Sequence, residues 1–185
     1  MQDGSVEHIR SVGGPRAEVY GEMTALGLVQ MMSAIGQITA ADASKHNEQH
    51  SDHDDVFLDL GSGNGAIVLQ AAVQYPQFRT CLGIELSADR NAVAQQAWQQ
   101  ATPDVQAKVT FVHGDAAGPA VLPLLQQATV VWCSNLLFGV ELQDRLATVL
   151  ATAAPTLHTV VSLRACPHGI SGMTLAQYTL PLEMS

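Results

Sequence analysis

Val56-Phe-Leu-Asp-Leu-Gly-Ser-Gly-Asn-Gly65 decides the fold. A short apolar run ends in Asp59, turns through Gly61, Gly63 and Gly65, and enters an apolar, helix-forming stretch. Glycine lets the backbone turn tightly and lets a ligand approach without meeting a Cβ. Amide groups opening the following helix face whatever sits in the crevice. The segment therefore reads as a strand, a nucleotide-type cofactor loop and a helix.

Outward from this loop the chain alternates. Val56–Leu60 is expected as a strand, Gly65–Gln74 as a helix and Thr80–Glu85 as a second strand. Ser87 is placed to cap a helix running to Ala101, in which Ala92, Val93, Ala97 and Trp98 share a face. Val109–His113 reads as a third strand, Ala120–Gln127 as a short helix and Ala128–Cys133 as a fourth strand. Val140–Ala154 follows as a helix with Leu142, Leu146, Val149 and Leu150 inward. Thr159–Ala165 and Thr174–Leu182 are the expected fifth and sixth strands. Strands alternating with helices imply βαβ units and a mostly parallel, doubly wound sheet covered on both faces.

Before the loop, residues 1–17 are polar and rich in Gly and Ser, and are expected as a mobile lead-in to one domain over 18–185. Leu26, Val29, Met32 and Ile35 recur at helical spacing and predict an amphipathic helix over Met23–Ile38. Thr39–Asp55 is polar and reads as a surface loop. There His46, His50 and His53 could chelate a metal with Asp52 or Asp54, but no supporting pattern accompanies them, so a solvated loop is preferred.

Composition sets bounds. The chain's 185 residues suit one domain, and 47% apolar with 14% charged residues suits a compact α/β core. Apolar runs break within about ten residues, short of a membrane span. No secretion signal opens the sequence. Cys81, Cys133 and Cys166 fall in strand-like runs and read as buried thiols of a reducing compartment, nuclear or cytoplasmic. A net charge of −9, with Lys45 and Lys108 the only lysines, repels phosphate backbones and attracts basic partners, so direct nucleic-acid binding is not expected.

Which cofactor the loop takes depends on three carboxylates. Gly61-Ser-Gly-Asn-Gly-Ala66 satisfies the dinucleotide fingerprint, and Glu85 ends the next strand, so NAD stays open. Asp59, however, stands where a carboxylate can meet an ammonium, which S-adenosylmethionine carries and NAD does not. Gly65 completes Asp-x-Gly-x-Gly-x-Gly, the pattern of seven-stranded methyltransferases, and His113-Gly-Asp115 ends the third strand with a further acid. In this reading Asp59 meets the methionine ammonium, Gly61 and Gly63 admit the methionine and ribose, Glu85 accepts the ribose hydroxyls and Asp115 the adenine amine. Ser62, Ala116 and Asn135 complete the set expected to touch the cofactor. No metal is expected.

A family resemblance narrows the acceptor. Glu18-Val-Tyr-Gly-Glu22, then Phe57 to Ala71, Gly83-Ile-Glu85, Gly114-Asp115 and Ser134-Asn-Leu-Leu-Phe-Gly139 resemble, in order, the disruptor-of-telomeric-silencing family of non-SET histone-lysine methyltransferases. The resemblance implies a Rossmann-like, seven-stranded methyltransferase fold whose last strand lies outside this chain. It implies that Tyr20, Gly21 and Glu22 close over the methionine end of the cofactor. It also implies lysine methylation of a basic protein, a histone first. Departures are Ala66 for a glutamine, Ala116 for an aromatic and Ser134 for the first of two asparagines. The lysine-rich nucleosome-binding extension is absent from this sequence.

Methyl transfer to an amine needs alignment and a deprotonated nitrogen. The expected catalytic residues are Asn135, whose oxygen would orient the amine, with Phe138 and Tyr20 as aromatic walls. Structural readings stand beside these: Asn135 satisfying backbone at a strand end, and Phe138 as a core aromatic. Asn135-Leu-Leu-Phe138 also has the outline of enzymes that methylate amino groups of bases, but without their prolines. Two further readings stay open, a non-histone or small-molecule acceptor and a cofactor-binding subunit with weak catalysis.

Overall fold

The computed structural model describes residues 23–46 and 55–174, with backbone alone for 37–46. Its first element is a helix, α1 (Ala25–His46). Then come β1 (Asp55–Leu60), α2 (Ala66–Gln74), β2 (Phe78–Glu85), α3 (Ala88–Gln99), α4 (Pro103–Lys108) and β3 (Val109–His113). After a 3-10 turn at Pro119–Val121 follow α5 (Leu122–Leu125), β4 (Val130–Cys133), α6 (Val140–Ala153) and β5 (Thr159–Ser162).

Among the described residues, five parallel strands form one sheet in the order β3-β2-β1-β4-β5. The chain builds outward from β1 through β2 to β3, then crosses back to lay β4 on the other side of β1. That reversal opens a crevice beyond the carboxyl ends of β1 and β4, the place where open α/β sheets take ligands. The doubly wound parallel reading is the observed architecture.

Side-chain alternation on β1 sorts the core into two layers. Phe57 packs with Leu28 and Met31 of α1, Val68 and Ala71 of α2, and Ala94 of α3. Val56, Leu58 and Leu60 pack on the opposite face with Leu125 of α5 and Leu142, Leu146 and Leu150 of α6. Burying each such leucine contributes about 1.5–3 kcal/mol. The three α6 leucines recur four residues apart, so one stripe holds the helix down. Val149, expected inward as well, is partly buried beside them.

Gly65 shows how tightly the first βα unit is built. It caps α2 at φ +80°, and a Cβ there would lie 2.5 Å from the Phe111 ring and 2.8 Å from the Ala94 Cβ. Backbone conformation and space both demand glycine.

Several expectations change. The stretch expected as a loop from Thr39 continues α1 to His46. Thr39-Ala-Ala-Asp-Ala-Ser-Lys-His46 carries polar residues but neither glycine nor proline, and its alanines favour helix whatever their surroundings. On α3, Trp98 packs on the core as expected, but Val93 is 53% exposed and Ala94 is the wholly buried residue. Helix α4 was not expected, although Pro103 at its first turn, Asp104 behind it and Lys108 in its last turn are ordinary helix signals. Strand β5 ends at Ser162 rather than Ala165, because the backbone of Arg164 bonds to the Asn135 side chain instead of a neighbouring strand. Cys166 consequently lies beyond β5, outside any strand, and is only partly buried. The lead-in over 1–17, Tyr20, Gly21 and Glu22, His50 and His53, and most of the expected sixth strand lie outside the described residues.

Candidate functional site

Asp59, the fifth residue of β1, sits between Gly83 of β2 and Trp132 of β4 in the parallel registers. Its side chain is only 3% exposed, and Oδ1 has no hydrogen-bond partner. Burial, and secondly the charge of Glu85, push its carboxyl up to about 8. An acceptor held in the dry interior without a donor is costly, and such a group calls for a cationic or hydrogen-bonding ligand. Its surroundings provide room for one. A cleft bordered by Met23, Asp59, Gly61, Ser62, Gly63, Asn64, Ile67, Trp132 and Ser134 opens beside it.

The glycine loop is stitched to β2. Gly61 N and Ser62 N both donate to Ile84 O, at 2.9 and 3.0 Å. Ser62 Oγ, like Asp59 Oδ1, is buried without a partner. It lies over Gly83, where a Cβ would approach it to 2.7 Å. Hence the glycine two residues before Glu85 is what lets the loop settle on β2.

Glu85, the last residue of β2, is 6% exposed. Its Oε2 accepts from Gly63 N at 2.9 Å and its Oε1 from Ser87 N at 2.7 Å. Both oxygens are thus anchored by backbone amides, and each keeps a lone pair for a further donor. Ser87, as expected, caps α3 by accepting from Arg90 N.

Asp115 lies past β3, in the turn Gly114 to Gly118. Oδ1 accepts from Ala117 N at 2.9 Å, and Arg145 of α6 donates to Oδ2 at 2.7 Å. Ala116, next to it, is partly buried against the second core layer.

Asn135 is occupied. Its Nδ2 donates to Arg164 O at 2.8 Å and to Gln143 Oε1 at 3.3 Å, while its Oδ1 accepts from Arg164 N at 2.8 Å. The residue is buried, 2% exposed. These bonds are the ones the structural reading of Asn135 expects, a side chain satisfying backbone beyond a strand end. Gln143 extends the clamp by donating to Phe138 O at 2.9 Å. Phe138 itself is partly buried against the second core layer, and its ring edge lies 3.7 Å from where a Gly61 Cβ would stand. The ring therefore borders the glycine loop.

Met23 and Trp132 also line the cleft, and neither carried a site role in the sequence reading. Trp132 is the side chain facing Asp59 across the β1–β4 register, a relation visible only once β4 is placed beside β1. The other candidate chemistry is quiet. Burial pushes the Cys81 thiol up to about 12 and raises those of Cys133 and Cys166, which disfavours their thiolates. Among the described residues no three His, Cys, Asp or Glu side chains gather to hold a metal. Among the same residues no helix is long and apolar enough to cross a membrane.

The sheet resembles the methyltransferase domain of bacterial CtHen1 in two crystal structures. One has a TM-score of 0.53 at 12% identity, covering 72% of this chain and 65% of that one. The other has a TM-score of 0.52 at 14% identity, covering 73% and 65%. Identities this low speak to the fold, which is the Rossmann-like methyltransferase type. In sequence, the chain is 29% identical over 156 residues to a Drosophila melanogaster protein described as histone-lysine N-methyltransferase, H3 lysine-79 specific. The match takes in 81% of this chain but only 8% of that much longer relative. The family model described as histone methylation protein DOT1 matches residues 12–174, nearly the whole chain, and the protein belongs to that family.

Proposed function

We propose that the chain is an S-adenosylmethionine-dependent protein-lysine N-methyltransferase directed at a histone. The observation that carries this reading is the buried, partnerless Asp59 oxygen at the mouth of a glycine-lined cleft. A ligand with an ammonium group answers both its charge and its missing donor. Membership of the DOT1 family and the name of the Drosophila relative support the lysine acceptor and a nuclear setting.

When bound, the cofactor supplies a sulfonium methyl that an amine takes up by in-line displacement. Asp59 would hold the methionine ammonium, which requires that its carboxyl give up its proton first. The free lone pairs of Glu85 would accept the ribose hydroxyls, and Asp115 the adenine amine. Gly61 and Gly63 leave the loop backbone open to close approach, and the Ser62 hydroxyl has a hydrogen bond still to give. Tyr20, Gly21 and Glu22 would close over the methionine end. Trp132 and Met23 give the cleft apolar wall, and desolvation against it would lower the pKa of an entering lysine amine from its usual value near 10.4. Phe138, whose ring borders the glycine loop, would favour the developing cation by about 1 kcal/mol. Asn135 keeps this wall in place, and Ser134 is the polar side chain it leaves in the cleft.

The engagement of Asn135 by Arg164 favours one second reading, a cofactor-binding subunit with weak turnover. Labelled methyl transfer separates the two. The enzyme reading expects methylation of free histone in preference to intact nucleosomes, since a chain of net charge −9 is repelled by wrapped DNA. Tight S-adenosylhomocysteine binding with no transfer to any basic protein would establish the second reading instead.

A further inference from the structure

Asp115 is held from two sides before any ligand arrives. The turn that carries it is tight: Gly114 N donates to Glu85 O at 2.9 Å, and a Cβ on Gly114 would come within 2.7 Å of the Ala120 Cβ. Within that turn the Asp115 carboxylate accepts from Ala117 N through Oδ1. Across it, Arg145 Nη2 reaches from α6 to Oδ2 at 2.7 Å and to Ala117 O at 3.3 Å. One guanidinium therefore binds both the carboxylate and the backbone of its turn. Asp115 is 24% exposed on its side chain, enough to leave an open flank.

We infer that Arg145 is a positioning residue that aims the Asp115 carboxylate and so sets selection of the purine base. This rests on the cofactor reading given above. An ionised carboxylate has no proton to give, so it accepts from a base with an amine at C6 and opposes one with a carbonyl there. Two prior bonds aim the remaining lone pairs, and an aimed group discriminates better than a mobile one. Ala116 makes the arginine matter more: it is packed on the core and places no ring beside the base. Selection then depends on polar contact, and Arg145 controls the direction of that contact.

Calorimetry of the full chain with S-adenosylhomocysteine and S-inosylhomocysteine tests this, using the native protein, Arg145→Gln and Arg145→Lys. The native protein should prefer the adenosyl ligand. Arg145→Gln should reduce that preference by about tenfold, roughly the worth of one charge-assisted hydrogen bond. Arg145→Lys should restore most of it, and urea midpoints should stay close together, because the guanidinium is 40% exposed. An unchanged preference in Arg145→Gln, or equal loss of both ligands, overturns the inference alone. A rise in adenosyl affinity overturns it too, since the arginine would then be competing with the base. Failure of the native protein to bind either ligand removes the cofactor reading and this inference with it.

Discussion

Strand β1 carries an aspartate at each end, and the two are treated in opposite ways. Asp55, at the start, accepts from the Thr129 hydroxyl at 2.8 Å and meets His158 Nε2 at 3.1 Å, while Val56 N donates to Thr129 Oγ1 at 2.9 Å. These bonds tie the beginnings of β1, β4 and β5 together. Asp59, four residues on, lies deeper and has an oxygen with nothing to bond. Two carboxylates on one strand thus divide the labour: one joins strands, and the other is left unsatisfied at the end of the sheet that opens to ligands. Instability concentrated in one oxygen marks a binding site more clearly than any count of polar residues, because native interiors otherwise satisfy such groups.

The largest expected effect comes from removing the unsatisfied group. Asp59→Asn should weaken S-adenosylhomocysteine binding by about a hundredfold or more, the cost of losing a buried charge-assisted contact. It should also stabilise the ligand-free protein at high pH. The folded pKa is raised from 3.8 to about 8, so the native state binds the extra proton between those values. Stability from this group is therefore full below pH 3.8 and is lost as pH rises through 8. Unfolding free energies of native and variant protein from urea titration should diverge by a few kcal/mol toward pH 9 and converge near pH 4. By the same linkage, the native affinity should fall about tenfold for each pH unit below 8, with proton release seen by calorimetry in two buffers.

A smaller effect is expected at the clamp. Asn135→Ala should cost about 1–3 kcal/mol in urea unfolding, because the backbone N–H and C=O of Arg164 lose their partner. Cofactor affinity should fall little. A large loss of turnover with unchanged stability would return Asn135 to the chemistry.

The smallest effect tests the other end of β1. Asp55→Asn should cost about 0.5–1.5 kcal/mol and leave S-adenosylhomocysteine affinity unchanged. If it weakened binding as much as Asp59→Asn, the division between the two ends would collapse.

Much of this was legible in the chain itself. The glycine loop, Asp59, Glu85, Ser87 and the α6 leucines are local signals, each readable from a turn, a strand end or a helical period. Misreadings arose where local chemistry was ambiguous. Polar residues after Thr39 looked like a loop yet continue α1, and Val93 looked inward on α3 although Ala94 is the buried residue. Asn135 and Asp115 were placed correctly at strand ends, but their partners could not be read.

Sequence by itself determined the alternation of strands and helices, the loop and the acids around it, because these follow from backbone preference and side-chain period over a few neighbouring residues. Tertiary structure decided which acid stays unsatisfied, that Arg164 occupies Asn135, and that Arg145 holds Asp115. Those contacts join positions 29 and 30 residues apart, and the Asp55–His158 pair spans 103. No local preference encodes such pairs; they exist only after β4, β5 and α6 have packed against β1 and β3.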